Sequence, residues 1–150
     1  MIITSLNSGL GNQIFQYAAG KALAARHNTS LKLDLSWFEA NTSRHYQLHH
    51  FAITAGEASK QEKKKFTVAY TGIFKKAVWS VAKKHRTNRK YREPHFNFDP
   101  ELFRCGKDTW IEGYWQSEKY FDAISRDIAR EFRIITPLSP KSTETKKLIG

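Results

Sequence analysis

Only one cysteine, Cys105, occurs in the 150 residues of this chain. A lone thiol excludes an internal disulfide and a cysteine-rich zinc site, so neither kind of staple holds the fold. With no second thiol and a position near a loop, Cys105 reads as structural rather than nucleophilic. Long apolar runs are missing too: nothing approaches the roughly 18 residues that a membrane-spanning helix requires. The opening Met1-Ile2-Ile3-Thr4-Ser5-Leu6 has no basic leader and no long apolar stretch. It reads as a first strand rather than a signal peptide, and the expected location is the cytoplasm. Internal repeats and low-complexity tracts are absent.

Acidic residues are scarce in one place. Between Lys60 and Arg92 stand twelve Lys or Arg and a single acid, Glu62, while the rest of the chain carries thirteen of each sign. The whole net charge of +11 therefore belongs to that segment. Elsewhere the chain is ordinary: 40% apolar and 26% charged residues suit one globular domain, not a disordered chain. The plain reading of the basic segment is a solvated helix face. A sharper one is peripheral contact of Lys60–Arg92 with an anionic membrane inner face, where the stripe at 73–82, with Phe74 and Trp79, would lie on the leaflet. Nucleic acid suits the pI of 9.8, but the bases are confined and no nucleic-acid motif accompanies them, so no nucleic-acid partner is expected.

Met1 to Leu6 is β-branched at its centre and runs into the turn formers Asn7-Ser8-Gly9, which predicts a strand and a tight loop. From Gln13 to His27 the apolar residues Ile14, Phe15, Ala18, Ala22, Leu23 and Ala25 fall at helical spacing, with Asn12 as the expected N-cap. Leu31-Lys32-Leu33-Asp34-Leu35 alternates as a strand. Strand, turn, helix and strand in succession form a βαβ unit, which opens a parallel sheet. The expected fold class is α/β, a Rossmann-like parallel sheet with flanking helices. Tyr46 to Ile53 reads as a short strand or loop, Glu57 to Lys65 as a polar helix, and 73–82 as a helical stripe. Arg86 to Asn97 reads as polar and turn-rich. Asp99 before Pro100 marks a helical turn, and Thr109 to Gly113 a strand. Ser117 is an expected cap for a helix carrying Phe121, Ile124, Ile128 and Phe132. Thr136 to Pro140 reads as a linker, and Thr143 to Ile149 as the start of a further helix.

The turn Ser8-Gly9-Leu10-Gly11-Asn12-Gln13-Ile14 has the chemistry of an anion site. A helix start leaves backbone N–H groups unpaired, and glycines let a phosphate come close. Asn12 and Gln13 add amides that can bond a sugar hydroxyl or a phosphate oxygen. A purely steric glycine turn is the plain alternative. An NAD(P)-dependent oxidoreductase is the rival enzyme reading, since Gly9-x-Gly11 and Asp34 match its first two glycines and its ribose acid. Its third glycine, however, would fall at Ile14. The rival outside enzymology is a basic membrane- or nucleic-acid-binding module.

Ser8-Gly9-Leu10-Gly11-Asn12-Gln13-Ile14-Phe15-Gln16-Tyr17-Ala18 resembles the opening signature of the α-1,2-fucosyltransferase family, glycosyltransferase family 11. That signature typically reads Gly-Gly-Leu-Gly-Asn-Gln-Met-Phe-Gln-Tyr-Ala, so this chain departs from it at Ser8 and Ile14. Tyr91-Arg92-Glu93 through Phe98-Asp99-Pro100 is similar to a second block, and Gly113-Tyr114-Trp115-Gln116-Ser117-Glu118-Lys119-Tyr120-Phe121 to a third. Leu33 to Phe38 fits the family's second strand. The resemblance implies a GT-B-like, two-lobed enzyme that transfers L-fucose from GDP-fucose to the 2-hydroxyl of a galactoside in a surface glycan. Transfer in that family inverts the anomeric centre and uses no metal or other cofactor. On this reading residues 1–135 form the N-terminal, acceptor-side lobe, and 136–150 a linker and the start of a second lobe. The family's His-x-Arg-Arg-Gly-Asp donor signature, at the start of that lobe, has no counterpart here. The chain alone is therefore expected to lack the donor-binding lobe and to be inactive.

Within this frame Gly9, Gly11, Asn12 and Gln13 are the donor-side candidates. Trp115 and Gln116, after a strand's carboxyl end, are the acceptor-side candidates, with covering the core as the plain alternative for the tryptophan. Glu93, His95 and Asp99 are the titratable cluster from which a general base would come, although Asp99 also suits a turn cap. The choice among the three stays open, and no metal site is expected.

Overall fold

The computed structural model describes residues 1–41, 43–66 and 90–137. The predicted helical stripe at 73–82 and the helix start at 143–149 lie outside them.

Five strands form one sheet: β1 (Ile2–Ser5), β2 (Leu31–Asp34), β3 (Gly56–Glu57), β4 (Lys90–Arg92) and β5 (Thr109–Glu112). Their order is β3-β2-β1-β5-β4, and every pairing is parallel. β1 is central, with Ile2 registered against Leu31 on one side and Thr109 on the other. A strand covered on both faces needs apolar residues at consecutive positions, and Ile2, Ile3 and Thr4 are all fully buried. The predicted α/β, Rossmann-like sheet is the architecture present.

Helix α1 (Leu10–Arg26) returns the chain from β1 to β2. It packs tightly on the sheet at Gly20, where a Cβ would lie 3.0 Å from both Thr4 and Leu31. Thr4 Oγ1 adds a bond to the Gln16 carbonyl at 3.2 Å. The tight helix–strand contact expected of a third fingerprint glycine thus exists, but Gly20 provides it and Ile14 does not. Helix α1 also starts earlier than its apolar spacing suggests. Gly9 is its N-cap, without a side-chain bond, so Asn12 sits inside the first turn rather than at the cap.

Helices α2 (Ser36–Ala40) and α3 (Lys60–Lys64) follow β2 and β3. In α3, Ser59 and Glu62 form a reciprocal capping box, which explains a stable start for a short polar helix. Leu48–His50 is a 3-10 turn, not a strand. β4 corrects the turn-rich reading of 86–97, because Lys90-Tyr91-Arg92 pairs with β5. The turn predicted at Asp99-Pro100 is present: Pro100–Arg104 is a 3-10 segment, and Asp99 accepts from the Glu101 N–H at 3.0 Å. The single helix expected after Ser117 is broken into 3-10 turns at Glu118–Tyr120 and Asp122–Ile124, then α4 (Ser125–Glu131).

The main core joins Ile2, Leu6, Tyr17, Leu23, Leu33, Ile111, Trp115 and Tyr120. Ile3, Ala58 and Trp110 form a smaller cluster, as the alternation of side chains across a strand requires. A polar clasp docks α4: the Tyr17 hydroxyl and Lys21 ammonium both bond the Glu131 carboxylate, and Thr54 Oγ1 donates to it at 2.8 Å. Among the described residues no helix is long and apolar enough to cross a membrane.

Candidate functional site

The chain runs outward from β1 along β2 and β3, then crosses to the other edge for β4 before β5 returns beside β1. A sheet wound this way leaves a crevice at the carboxyl ends of its strands, where the direction of winding changes. An open cleft of about 510 Å³ occupies that place. Ser5, Asp34, Arg92 and Glu112, the last residues of β1, β2, β4 and β5, all line it. Trp37, Phe96 and Tyr114 add aromatic rings, and Glu93 and His95 titratable groups.

Two glutamines that sequence reasoning treated differently shape this edge. Gln16 is fully buried; its Oε1 accepts from the Asn7 N–H at 3.0 Å, and its Nε2 donates to Asn7 Oδ1 and to the Gly113 carbonyl. It ties the β1–α1 turn to the loop after β5 and so fixes two walls of the site. No property of residue 16 alone announces this; it stands in the matched signature without a role. Gln13, expected on the donor side, is also fully buried. Its Nε2 donates to the Ser8 and His45 carbonyls, and its Oε1 accepts from the Gln47 N–H at 2.9 Å. That amide is spent on the fold and cannot also reach a ligand in this arrangement.

Gly9 caps the helix start and Gly11 and Asn12 lie in its first turn, but none of the three is among the residues that line the cleft. A Cβ on either glycine would meet nothing within 4 Å, so both face open space. Asn12 Oδ1 accepts from Gln116 Nε2 at 2.7 Å, joining the donor-side and acceptor-side candidates directly. Ser8, where the matched signature carries glycine, adopts φ 63°, and its hydroxyl donates to Asn7 Oδ1 at 3.0 Å. That left-handed backbone is the physical reason for a glycine there.

The acceptor-side candidates separate. Gln116 is exposed, but Trp115 is fully buried. It stacks on Tyr91 with ring centroids 6.2 Å apart and meets Tyr120 edge-on at 5.4 Å. In this arrangement Trp115 covers the core and presents no face to the cleft. Tyr114, its neighbour, lines the cleft instead and contacts Phe96. Trp37 and Phe96 were not candidates from sequence. Both became visible only when the topology brought α2 and the loop after β4 to one edge.

The titratable cluster also divides. Asp99 is buried away from the cleft, bonded by the Tyr91 hydroxyl and the Glu101 N–H. It is a cap and an anchor. Burial and this bond to Asp99 raise the Tyr91 pKa, and burial with Asp99 and Glu101 pushes the Cys105 thiol up to about 11. An unreactive, structural Cys105 follows. Glu93 lies in the cleft wall, and its two carboxylate oxygens accept from the N–H groups of Tyr114 at 2.6 Å and Trp115 at 3.0 Å. This clamp holds Trp115 at φ 55° and requires Gly113, where a Cβ would lie 2.7 Å from Glu93 Oε2. Asp34 is bonded by Ser5, Ser36 and Lys63. Burial raises its pKa, but the Ser36 and Lys63 bonds outweigh that and leave it below the ordinary aspartate value. An acid so engaged is poorly placed to take a ribose, which removes the dinucleotide rival's second feature. Glu112 pairs with Lys90 at 2.6 Å and Arg92 at 3.2 Å.

No family model matches the chain, and no solved structure does. Among curated proteins it is similar to an α-1,2-colitosyltransferase of Escherichia coli, with 27% identity over 121 residues. The match covers 81% of this chain and 41% of that protein, so the chain spans about two fifths of its relative's length. The similarity is to a glycosyltransferase.

Proposed function

We propose that this chain is the acceptor-binding lobe of a glycosyltransferase that moves L-fucose from GDP-fucose to the 2-hydroxyl of a galactoside in a surface glycan. The cleft carries this reading. Rings such as Trp37 and Tyr114 suit the C–H faces of a sugar, and polar groups between them suit its hydroxyls. Each carboxylate in the cleft is already balanced by a cation or by backbone N–H groups, which favours a neutral guest over a free cation. The open helix start at Gly9 to Asn12, which follows the cleft-lining Asn7, would receive the donor's diphosphate on this reading. Transfer would be inverting and metal-free, as the family resemblance implies, with the rest of the donor held by a second lobe. The relative's name favours one variant of this reading, in which the sugar moved is colitose rather than fucose. The exposed lysines of α3 suit peripheral contact with an anionic membrane, where such glycans are built.

Isothermal titration of the purified chain tests the reading. Saturable heat with methyl β-galactopyranoside and none with NADH is expected. Heat with NADH alone would restore the dinucleotide rival. Incubation with GDP-fucose and the galactoside should give little or no product from this chain, and rapid product formation would refute the need for a second lobe.

A further inference from the structure

Among the described residues of the cleft four groups could accept a proton, and their hydrogen bonds sort them. Asp34 is engaged by Ser5, Ser36 and Lys63, Glu93 by two backbone N–H groups, and Glu112 by Lys90 and Arg92. Each of these carboxylates already supports the fold. His95 differs. It is exposed on the cleft, and its Nδ1 lies 3.1 Å from the Asn97 carbonyl oxygen. A carbonyl can only accept, so Nδ1 donates, and in the neutral ring Nε2 is then the nitrogen with the lone pair. Among the described residues nothing bonds Nε2. An imidazole oriented through one nitrogen and open at the other is the arrangement of a general base.

We propose that His95 is the general base of the transfer, a role that rests on the reading of the cleft as the acceptor site. Nε2 takes the proton of the acceptor hydroxyl as that oxygen bonds to the anomeric carbon of a sugar nucleoside diphosphate. The bond from that carbon to the diphosphate oxygen breaks, and its electron pair leaves with the nucleoside diphosphate. The imidazolium then returns its proton to solvent. Arg92, Glu93, Asp34 and Glu112 share the cleft with it. Since the acids there are offset by Lys63, Lys90, Arg92 and backbone donors, no bare carboxylate among the described residues of the cleft is left to compete for the proton.

The test is imidazole ¹⁵N NMR on the labelled chain, with the His95 signals assigned by their loss in His95→Gln. Free protein should show the Nδ1–H tautomer at His95. Methyl β-galactopyranoside should shift the Nε2 resonance, together with signals of Trp37 and Tyr114. If Trp37 and Tyr114 respond while His95 stays still, or if His95 carries its proton on Nε2, the proposal is overturned and the acceptor site stands. If none of the three responds, the acceptor-site reading fails and takes this role with it.

Discussion

Two glycine-bearing loops meet at the carboxyl edge of the sheet, and they use glycine for opposite reasons. In the β1–α1 turn, side chains at Gly9 or Gly11 would enter empty space. In the loop after β5, a side chain at Gly113 would strike the Glu93 carboxylate that clamps the loop. The first loop faces open space; the second is closed because the fold fills it. Glycine in a sequence therefore marks either space for a guest or the absence of space, and only the neighbours decide which.

Substitutions can break this contrast, and the largest effect is expected at Gly113. Gly113→Ala should cost about 3 kcal/mol in urea unfolding, because the overpacked atom meets a held side chain. A loss below about 0.5 kcal/mol would show that the clamp yields easily. Glu93→Gln should cost about 2 kcal/mol, since an amide can accept from only one of the two N–H groups the carboxylate serves. At the open loop the signs reverse. Ser8→Gly should stabilise by about 1 kcal/mol by relieving the positive φ. Gly11→Ala, inside the first turn of α1, should change stability by less than about 1 kcal/mol, and in the stabilising direction. Destabilisation by Gly11→Ala comparable to that at Gly113 would erase the distinction.

The clasp far from the cleft gives a smaller, pH-dependent signature. Burial raises the Glu131 pKa, but bonds from Lys21, Tyr17 and Thr54 outweigh it and hold the folded value below the ordinary one. Its contribution is therefore complete above the unfolded value of about 4.3 and is lost as pH falls through the lower folded value. Asp34 acts with the same sign. Urea midpoints should fall on acidification through this window, and Glu131→Gln should flatten the fall. An unchanged slope in that variant would remove Glu131 from the account.

The βαβ opening was legible because its physics is local: β-branched residues in β1, helical spacing in α1 and alternation in β2. The Asp99-Pro100 cap was legible for the same reason. β4 was not. Lys90-Tyr91-Arg92 is a short, charged strand whose only sheet partner among the described residues, β5, follows after a crossover over 93–108, and edge strands are often charged. The helix after Ser117 broke because Tyr120 and Phe121 both pack inward, Tyr120 beneath Asp99 and Phe121 against Phe15. One regular helix does not aim adjacent residues at both places. Of the residues singled out from sequence, Glu93 and His95 line the cleft, whereas Gln13 and Trp115 went to the interior. Local sequence shows which residues carry amides and rings, but burial decides whether those groups face a guest or the core.

In the proposed function a sugar rests between Trp37 and Tyr114 at the carboxyl ends of the strands. Photo-crosslinking with a diazirine-bearing β-galactoside, mapped by peptide mass spectrometry, tests this directly. Label should concentrate on peptides containing Trp37 and the segments at 92–96 and 112–114, and excess methyl β-galactopyranoside should compete it away. Label that is scattered, uncompeted, or confined to the opposite edge around Met1 and Asp108 would contradict it.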